Sequence, residues 1–210
     1  MTDLPPPTSV PYGIRTERLL LRCYEPRDAE QLEQAVTSSL DELRPWMPWA
    51  HVEPIDRDER VDFLRKRRAD FDCDREYFYG AFEGEELVGA CGLHRRVGPA
   101  ALEVGYWTPT AHTGRGIATE GAGALVRVAF EVHGVERVDL HCEPGNEASA
   151  RIAGKLGFRE EAVLPRRFQK YDGSLRDIRV FSLHRPDYGE SPCARQELEL
   201  LGASGQRIFL

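Results

Sequence analysis

Two glycines, Gly114 and Gly116, stand directly before a segment with helical spacing. From Ile117 onward, Ala118, Ala122, Leu125, Val126, Ala129 and Phe130 recur on one side, and Gly134 ends the run. Glycines at such a place leave the first helical amides unpaired and unobstructed, and the helix dipole adds partial positive charge there. The stretch Gly114, Arg115, Gly116, Ile117, Ala118, Thr119 is therefore an anion site, suited above all to phosphate groups. A turn that binds nothing is the plainer reading of a bare G-x-G. A dinucleotide fold is the rival ligand reading, since Gly114 and Gly116 supply two of its three fingerprint glycines and Asp139 lies roughly twenty residues on. Two features count against it: Thr119 occupies the third glycine position, and six residues separate Trp107 from Gly114 where the fingerprint places its glycine directly after the strand.

A second stretch with chemical potential is LDELRPWMPWA, Leu40 to Ala50. Its prolines rule out a regular helix through its length. Trp46, Met47 and Trp49 then either fold onto the core or wall a small-molecule pocket, as rigid aromatics often do. His112 and His141 are expected as plain surface or edge residues, and the basic run Arg65, Lys66, Arg67, Arg68 as a solvated helix face.

These groups need elements to hold them. Thr16 to Tyr24 alternates as a strand, and Pro26 with Asp28 opens a helix to about Thr37, Asp28 being its expected cap. Asp58 to Phe71 is helical. Tyr77 to Phe82 and Leu87 to His94 form a hairpin, and Ala101 to Trp107 adds a third antiparallel strand that Pro109 ends. After the helix from Ile117, Arg137 to Glu143 is a strand with Val138, Leu140 and Cys142 on one side and Asp139, His141 and Glu143 on the other. Asn146 caps a helix that buries Ile152, Ala153 and Leu156. Arg159 to Arg166 is a strand, and Phe168 to Tyr171 pairs with Arg176 to Leu183 across Asp172-Gly173. The organisation expected is a flexible lead-in at 1–15, one domain at 16–185, and a C-terminal extension at 186–210 forming a short helix and a tail.

Composition narrows the class. The 210 residues carry a formal charge of −7, which argues against general nucleic-acid affinity, and 41% are hydrophobic, which is ordinary for a globular chain. No apolar run approaches spanning length, so no membrane association is expected. Five cysteines without CxxC spacing suggest reduced thiols, a cytoplasmic location and no metal site.

The order β-α-α-β-β-β-α-β-α-β-β, with a phosphate-type turn after the fourth strand, resembles the GCN5-related N-acetyltransferase (GNAT) superfamily, in its RimJ/RimL branch acting on protein N-terminal amines. The blocks that carry the resemblance are EVGYW, TGRGIATEGAGALVRVAF, ERVDLHCEPGNEASARIAGKLGF and YDGSLRD, within Thr16 to about Leu183. One departure stands out: the Q/R-x-x-G-x-G/A turn of the family begins here with Thr113, with Gly116 and Ala118 in their places.

The resemblance implies an α/β fold whose mixed, mostly antiparallel sheet has splayed central strands and flanking helices. It implies an acyl-CoA-dependent N-acyltransferase, most naturally an N-acetyltransferase with acetyl-CoA as co-substrate and no metal. The amine attacks the thioester directly in a ternary complex. The amides from Arg115 to Thr119 would take the CoA pyrophosphate, and Val104, Gly105, Tyr106 and Trp107 would pair with pantetheine as an added strand. Glu103 would be the base, acting through a water. Asn146 would touch pantetheine, and Ser149 would give a proton to the departing thiolate. The acceptor is a protein N-terminus or a small amine, walled by Trp46, Met47 and Trp49, and a homodimer is left open. The alternatives are a non-catalytic acyl-CoA-binding module and, at greater distance, a dinucleotide-binding oxidoreductase.

Overall fold

The structure, a computed structural model, describes residues 10–209. It contains one ten-stranded sheet built from β1 (Gly13–Arg15), β2 (Leu20–Cys23), β3 (Tyr77–Glu83), β4 (Glu86–His94), β5 (Ala101–Trp107), β6 (Arg137–Cys142), β7 (Arg159–Gln169), β8 (Leu175–His184), β9 (Glu199–Leu201) and β10 (Arg207–Ile208). The spatial order is β10-β9-β1-β2-β3-β4-β5-β6-β8-β7. Neighbours are antiparallel except β5 and β6, which are parallel and joined by the crossover helix α4 (Ile117–Glu131) that such a pair requires.

That parallel pair holds only over Ala101–Glu103 against Arg137–Asp139. Beyond it β5 stays bound to β4 as far as Trp107, and β6 stays bound to β8 as far as Cys142. Each strand follows its own half of the sheet, and a gap opens with free backbone on both lips. The expected α/β architecture, with its mixed sheet splayed at the centre, is what the chain adopts. The mostly antiparallel sheet also removes the dinucleotide reading, which needs a doubly wound parallel one.

Period-two alternation sorts the side chains of both lips onto opposite faces. Leu102, Val104, Val138, Leu140 and Cys142 enter the main core with the buried side of α4 and with Ala153 of α5 (Glu147–Lys155). Trp107 packs on the other face, against a second apolar cluster of Tyr24, Leu32, Val36, Leu64 and Phe82. That cluster lies under α1 (Ala29–Thr37) and α3 (Arg57–Asp72). The short α2 (Leu40–Leu43) and a 3₁₀ turn at Pro48–His51 occupy the proline-broken aromatic stretch.

The structure departs from the sequence expectations in several places, one being that Arg159 to Gln169 is a single strand. Asp28 does not cap α1 with its side chain. Its carboxylate takes both Arg22 Nη atoms at 2.7 Å, and that ion pair outcompetes a cap bond. Helix α3 starts earlier, at Arg57, because Asp56 accepts from the Glu59 amide at 2.8 Å and Glu59 returns the bond. The segment Gly13–Arg15, expected within the lead-in, pairs with both β2 and β9, burying Ile14 against Leu200. Past a short helical turn at Pro192–Arg195, the expected tail forms β9 and β10, since Leu200 has a strand to join and an apolar layer to enter. Residues 1–9 of the expected lead-in lie outside the described residues. Cys73 is exposed and the other four cysteines are buried, all as free thiols. Among the described residues no helix is long and apolar enough to cross a membrane.

Candidate active site

The glycine turn is shaped as the sequence suggested. Gly114 and Gly116 hold φ of +75° and +83°, a region that side-chain-bearing residues avoid, and Gly116 is the last residue before α4. A Cβ on Gly114 would meet nothing within 4 Å, and one on Gly116 only Arg18 Nη2 at 3.4 Å. The approach to the first-turn amides of Ile117, Ala118 and Thr119 is thus open, which is what a phosphate needs. Arg115 turns its side chain away to Glu83 at 2.6 Å and His112 at 2.8 Å. The cation at this helix start is Arg18, which sequence reasoning missed. Its Nη1 donates to the Arg115 carbonyl at 3.0 Å and its other nitrogens hold Glu120 at 2.6 and 2.8 Å.

At the splay the two lips enclose a cavity of about 670 Å³. Its lining brings together Glu103, Val104, Gly105, Tyr106 and Trp107 from β5, Cys142 from β6, and Asn146 and Ser149 from the start of α5. Trp46, Met47 and Trp49 line it too, while Gly114 to Thr119 lie outside it. The aromatic loop spans the gap. Trp49 packs on Trp107 with ring centroids 5.7 Å apart, and Trp46 lies 3.6 Å from where a Cβ of Gly145 would stand. Both tryptophans keep about a third of their surface exposed, so they wall a cavity and do not fill the core.

Alternation places two different polar sets on the two faces of this gap. On the α4–α5 face, the Tyr106 hydroxyl and Ser149 Oγ share a hydrogen bond of 2.9 Å. Asn146 Oδ1 accepts from the Ser149 amide at 3.1 Å, which fixes the first turn of α5. Burial raises the Tyr106 pKa well above that of a free phenol, so its proton stays on at neutral pH.

On the opposite face, Glu103 is buried and accepts from Arg96 Nε at 2.8 Å and Nη2 at 2.6 Å. Burial alone would raise its pKa, but Arg96 and then His141 outweigh that and bring it down to about 2. His141 Nδ1 lies 3.4 Å from Glu103 Oε2, close enough to feel its charge although not aligned as a full hydrogen bond. His141 is therefore no plain surface residue: it faces the cavity beside a fixed carboxylate. The alternation of Asp139, His141 and Glu143 was the signal that could have placed it. His94 completes this face, with Nδ1 2.5 Å from Glu76 and its ring 3.2 Å from where a Cβ of Gly105 would be. A side chain at Gly105 would therefore press on that ring.

The Glu103 shift has a stability consequence. Its folded pKa lies below its ordinary value, so the stabilisation is complete above about 4.5 and is lost as pH falls through about 2. At roughly 1.4 kcal/mol per unit, Glu103→Gln should destabilise the fold by about 3 kcal/mol at pH 7. Urea unfolding of both proteins across pH 7 to pH 2.5 should show the gap narrowing. A pH-independent gap would mean that charge on Glu103 is not its origin.

Comparison with known proteins bears on family and fold. Residues 18–159 match the family model described as an acetyltransferase (GNAT) domain. The N-acetyltransferase YoaA of Bacillus subtilis, itself uncharacterized, is 27% identical over 176 residues, covering 82% of this chain and 97% of that protein. The [ribosomal protein uS5]-alanine N-acetyltransferase of Escherichia coli is 24% identical, covering 83% and 92%. Among solved structures, Mycobacterium smegmatis RimJ in complex with a CoA-disulfide superposes with a TM-score of 0.74 at 23% identity, covering 87% of this chain and 90% of that one. With a domain match over most of its length, the chain belongs to the GNAT family of N-acetyltransferases.

Proposed function

We propose that this N-acetyltransferase takes its acyl group from acetyl-CoA and passes it, in a cytoplasmic ternary complex, to the primary amine of a protein N-terminus or a small molecule. The observation that carries this reading is the single cavity at the β5–β6 gap. It has unpaired strand backbone and a hydroxyl pair on one face, and a carboxylate–imidazole pair on the other. In that reading the amides of Ile117, Ala118 and Thr119, with Arg18 beside them, take the pyrophosphate. The free backbone of Val104 to Trp107 pairs with the pantetheine amides. A lip amide near Gly105 to Trp107 donates to the thioester oxygen as charge builds there.

Proton traffic follows the two faces. A carboxylate held as low as Glu103 is a weak proton acceptor, so Glu103 serves as a positioning residue and His141 takes the proton from the incoming ammonium. The amine nitrogen then attacks the acyl carbon, the C–S bond breaks, and sulfur leaves with the electron pair. Ser149, in contact with Tyr106, gives that sulfur its proton, and the second proton that the nitrogen sheds as the amide forms restores the serine hydroxyl. Ser149→Ala should lower kcat about ten- to a hundredfold without changing the thermal protection given by acetyl-CoA; an unaltered kcat would move the acid role to Tyr106 alone.

The reading is tested by measuring CoA thiol released from acetyl-CoA and from succinyl-CoA with a panel of amines and N-terminal peptides. Acetyl-CoA at a hundred times its Kd should stabilise the fold by about 2.7 kcal/mol, and NAD should not. Gly116→Val should abolish that protection, because a branched side chain both blocks the amides and resists a φ of +83°. CoA protection surviving in a folded Gly116→Val protein would take the turn out of the site. Binding of acetyl-CoA with no turnover on any amine would instead favour a non-catalytic acyl-CoA-binding module.

A further inference from the structure

The acceptor side of the cavity has charged walls whose charges are paired with one another. Its lining holds the carboxylates of Glu53, Glu103 and Glu143 and the guanidiniums of Arg60, Arg96 and Arg176. These six form three ion pairs across the wall. Arg60 donates to both Glu53 oxygens at 2.8 and 2.5 Å, Arg96 holds Glu103, and Arg176 meets Glu143 at 2.6 Å with Lys170 a further 3.8 Å from that carboxylate. His94 is taken by Glu76. A second ammonium, a carboxylate or a phosphate on the acceptor would lose its water here and meet only carboxylates and guanidiniums that already sit in ion pairs, with Arg60 Nε and Arg176 Nε the buried guanidinium nitrogens left without a hydrogen-bond partner.

The rest of that side is apolar. Past the tryptophans the cavity runs under α1 and α3, between Leu32, Val36, Ile55, Phe63, Phe78 and Ala90. Several of these belong to, or pack on, the second apolar cluster. The space is continuous with the part that holds Tyr106 and Ser149, so a group lodged in it is tethered to whatever nitrogen sits at the gap.

We propose, resting on the acyl-transfer reading above, that the acceptor is a primary amine borne on an uncharged, apolar body of about phenyl or branched-alkyl size. Two sources supply that chemistry: a free aralkyl- or alkylamine, and a chain N-terminus whose first side chain is bulky and apolar. In either case the amine faces His141 and Glu103 while the apolar body lies beneath α1 and α3. The charged lining acts as a filter, since it admits the single ammonium that is to be deprotonated and offers a second charge only groups that are already in ion pairs.

The test uses the full chain, acetyl-CoA and CoA-thiol release, with propylamine, butylamine, hexylamine, phenethylamine, 1,4-diaminobutane and β-alanine. Peptides beginning with Ser, Ala or Phe form a second arm. From propylamine to hexylamine, kcat/KM should rise roughly fourfold per methylene, the usual worth of burying one. Phenethylamine should far exceed propylamine, and diaminobutane and β-alanine should not. Comparing phenethylamine with the Phe peptide separates the two sources. Ile55→Asp sets an unpaired carboxylate in the apolar end and should cut the hexylamine-to-propylamine ratio at least tenfold. Ala90→Leu fills the same space and should lower that ratio by another route, in case Ile55→Asp does not fold; melting with acetyl-CoA checks both. A flat hexylamine-to-propylamine ratio, a preference for the charged amines, or Ser and Ala peptides outrunning the Phe peptide would overturn the proposal while leaving acyl transfer standing. No CoA release with any amine would sink acyl transfer and this proposal together.

Discussion

His141→Gln should lower kcat/KM at pH 7 by a hundredfold or more, within the 10² to 10⁴ range that a positioned base supplies. The expectation comes from its place on β6, two residues past the last β5–β6 pair, facing both the cavity and Glu103. An alkylammonium with a pKa of about 10 is almost wholly protonated at neutral pH, and its proton must leave before nitrogen can attack. The loss should therefore shrink as the assay pH approaches the pKa of the amine, where solvent delivers free base. Glu103→Gln should cost less, and CoA protection should survive both changes, because neither residue holds the pyrophosphate. The opposite pattern, a shallow loss for His141→Gln and a deep one with alkaline recovery for Glu103→Gln, would return the base role to the carboxylate.

Arg60→Leu should be the most damaging single change to stability outside the main core. The Arg60 and Glu53 side chains are 3% and 5% exposed, and Glu53 Oε2 also accepts from the Ile55 amide at 3.1 Å. Removing the guanidinium strands a carboxylate that is almost wholly buried, which typically costs about 3–5 kcal/mol. For a chain of this size that lowers Tm by roughly 6–20 °C. Replacing both partners, as Glu53→Met with Arg60→Leu, should restore much of the loss, since two well-packed apolar side chains leave no orphaned charge. Calorimetry decides it: a single variant melting within about 2 °C of the parent would show that water reaches this pair after all.

What the sequence by itself determined is whatever local physics enforces. Gly114 and Gly116 before a helical period can only be a turn with open amides, and that turn is present with both glycines at positive φ. The hairpin of β3 and β4, the strand at Ala101–Trp107 and the Asn146 cap follow from alternation, turn residues and a side chain that bonds its own first turn. Blocks in this order also carried the family.

What only the tertiary structure decided depends on register and on distant partners. Whether Asp28 caps a helix or pairs with Arg22 is settled by how β2 lies against that turn, and the ion pair wins. Gly13–Arg15 and Glu199–Leu201 are weak strands separately and become strands by lying side by side, at opposite ends of the chain. His141 has the look of an edge residue until β6 parts from β5 and leaves it over the cavity, facing Glu103 on the neighbouring strand. Arg60 lies in a helix so charged that a solvated face is the natural expectation, yet the loop carrying Glu53 folds over it and leaves its side chain 3% exposed. The physical reason is common to all of these. Propensity and periodicity act over a few neighbouring residues, whereas the gap between β5 and β6 and the charges around it are set by which strands stay paired, and pairing joins residues that the sequence keeps far apart.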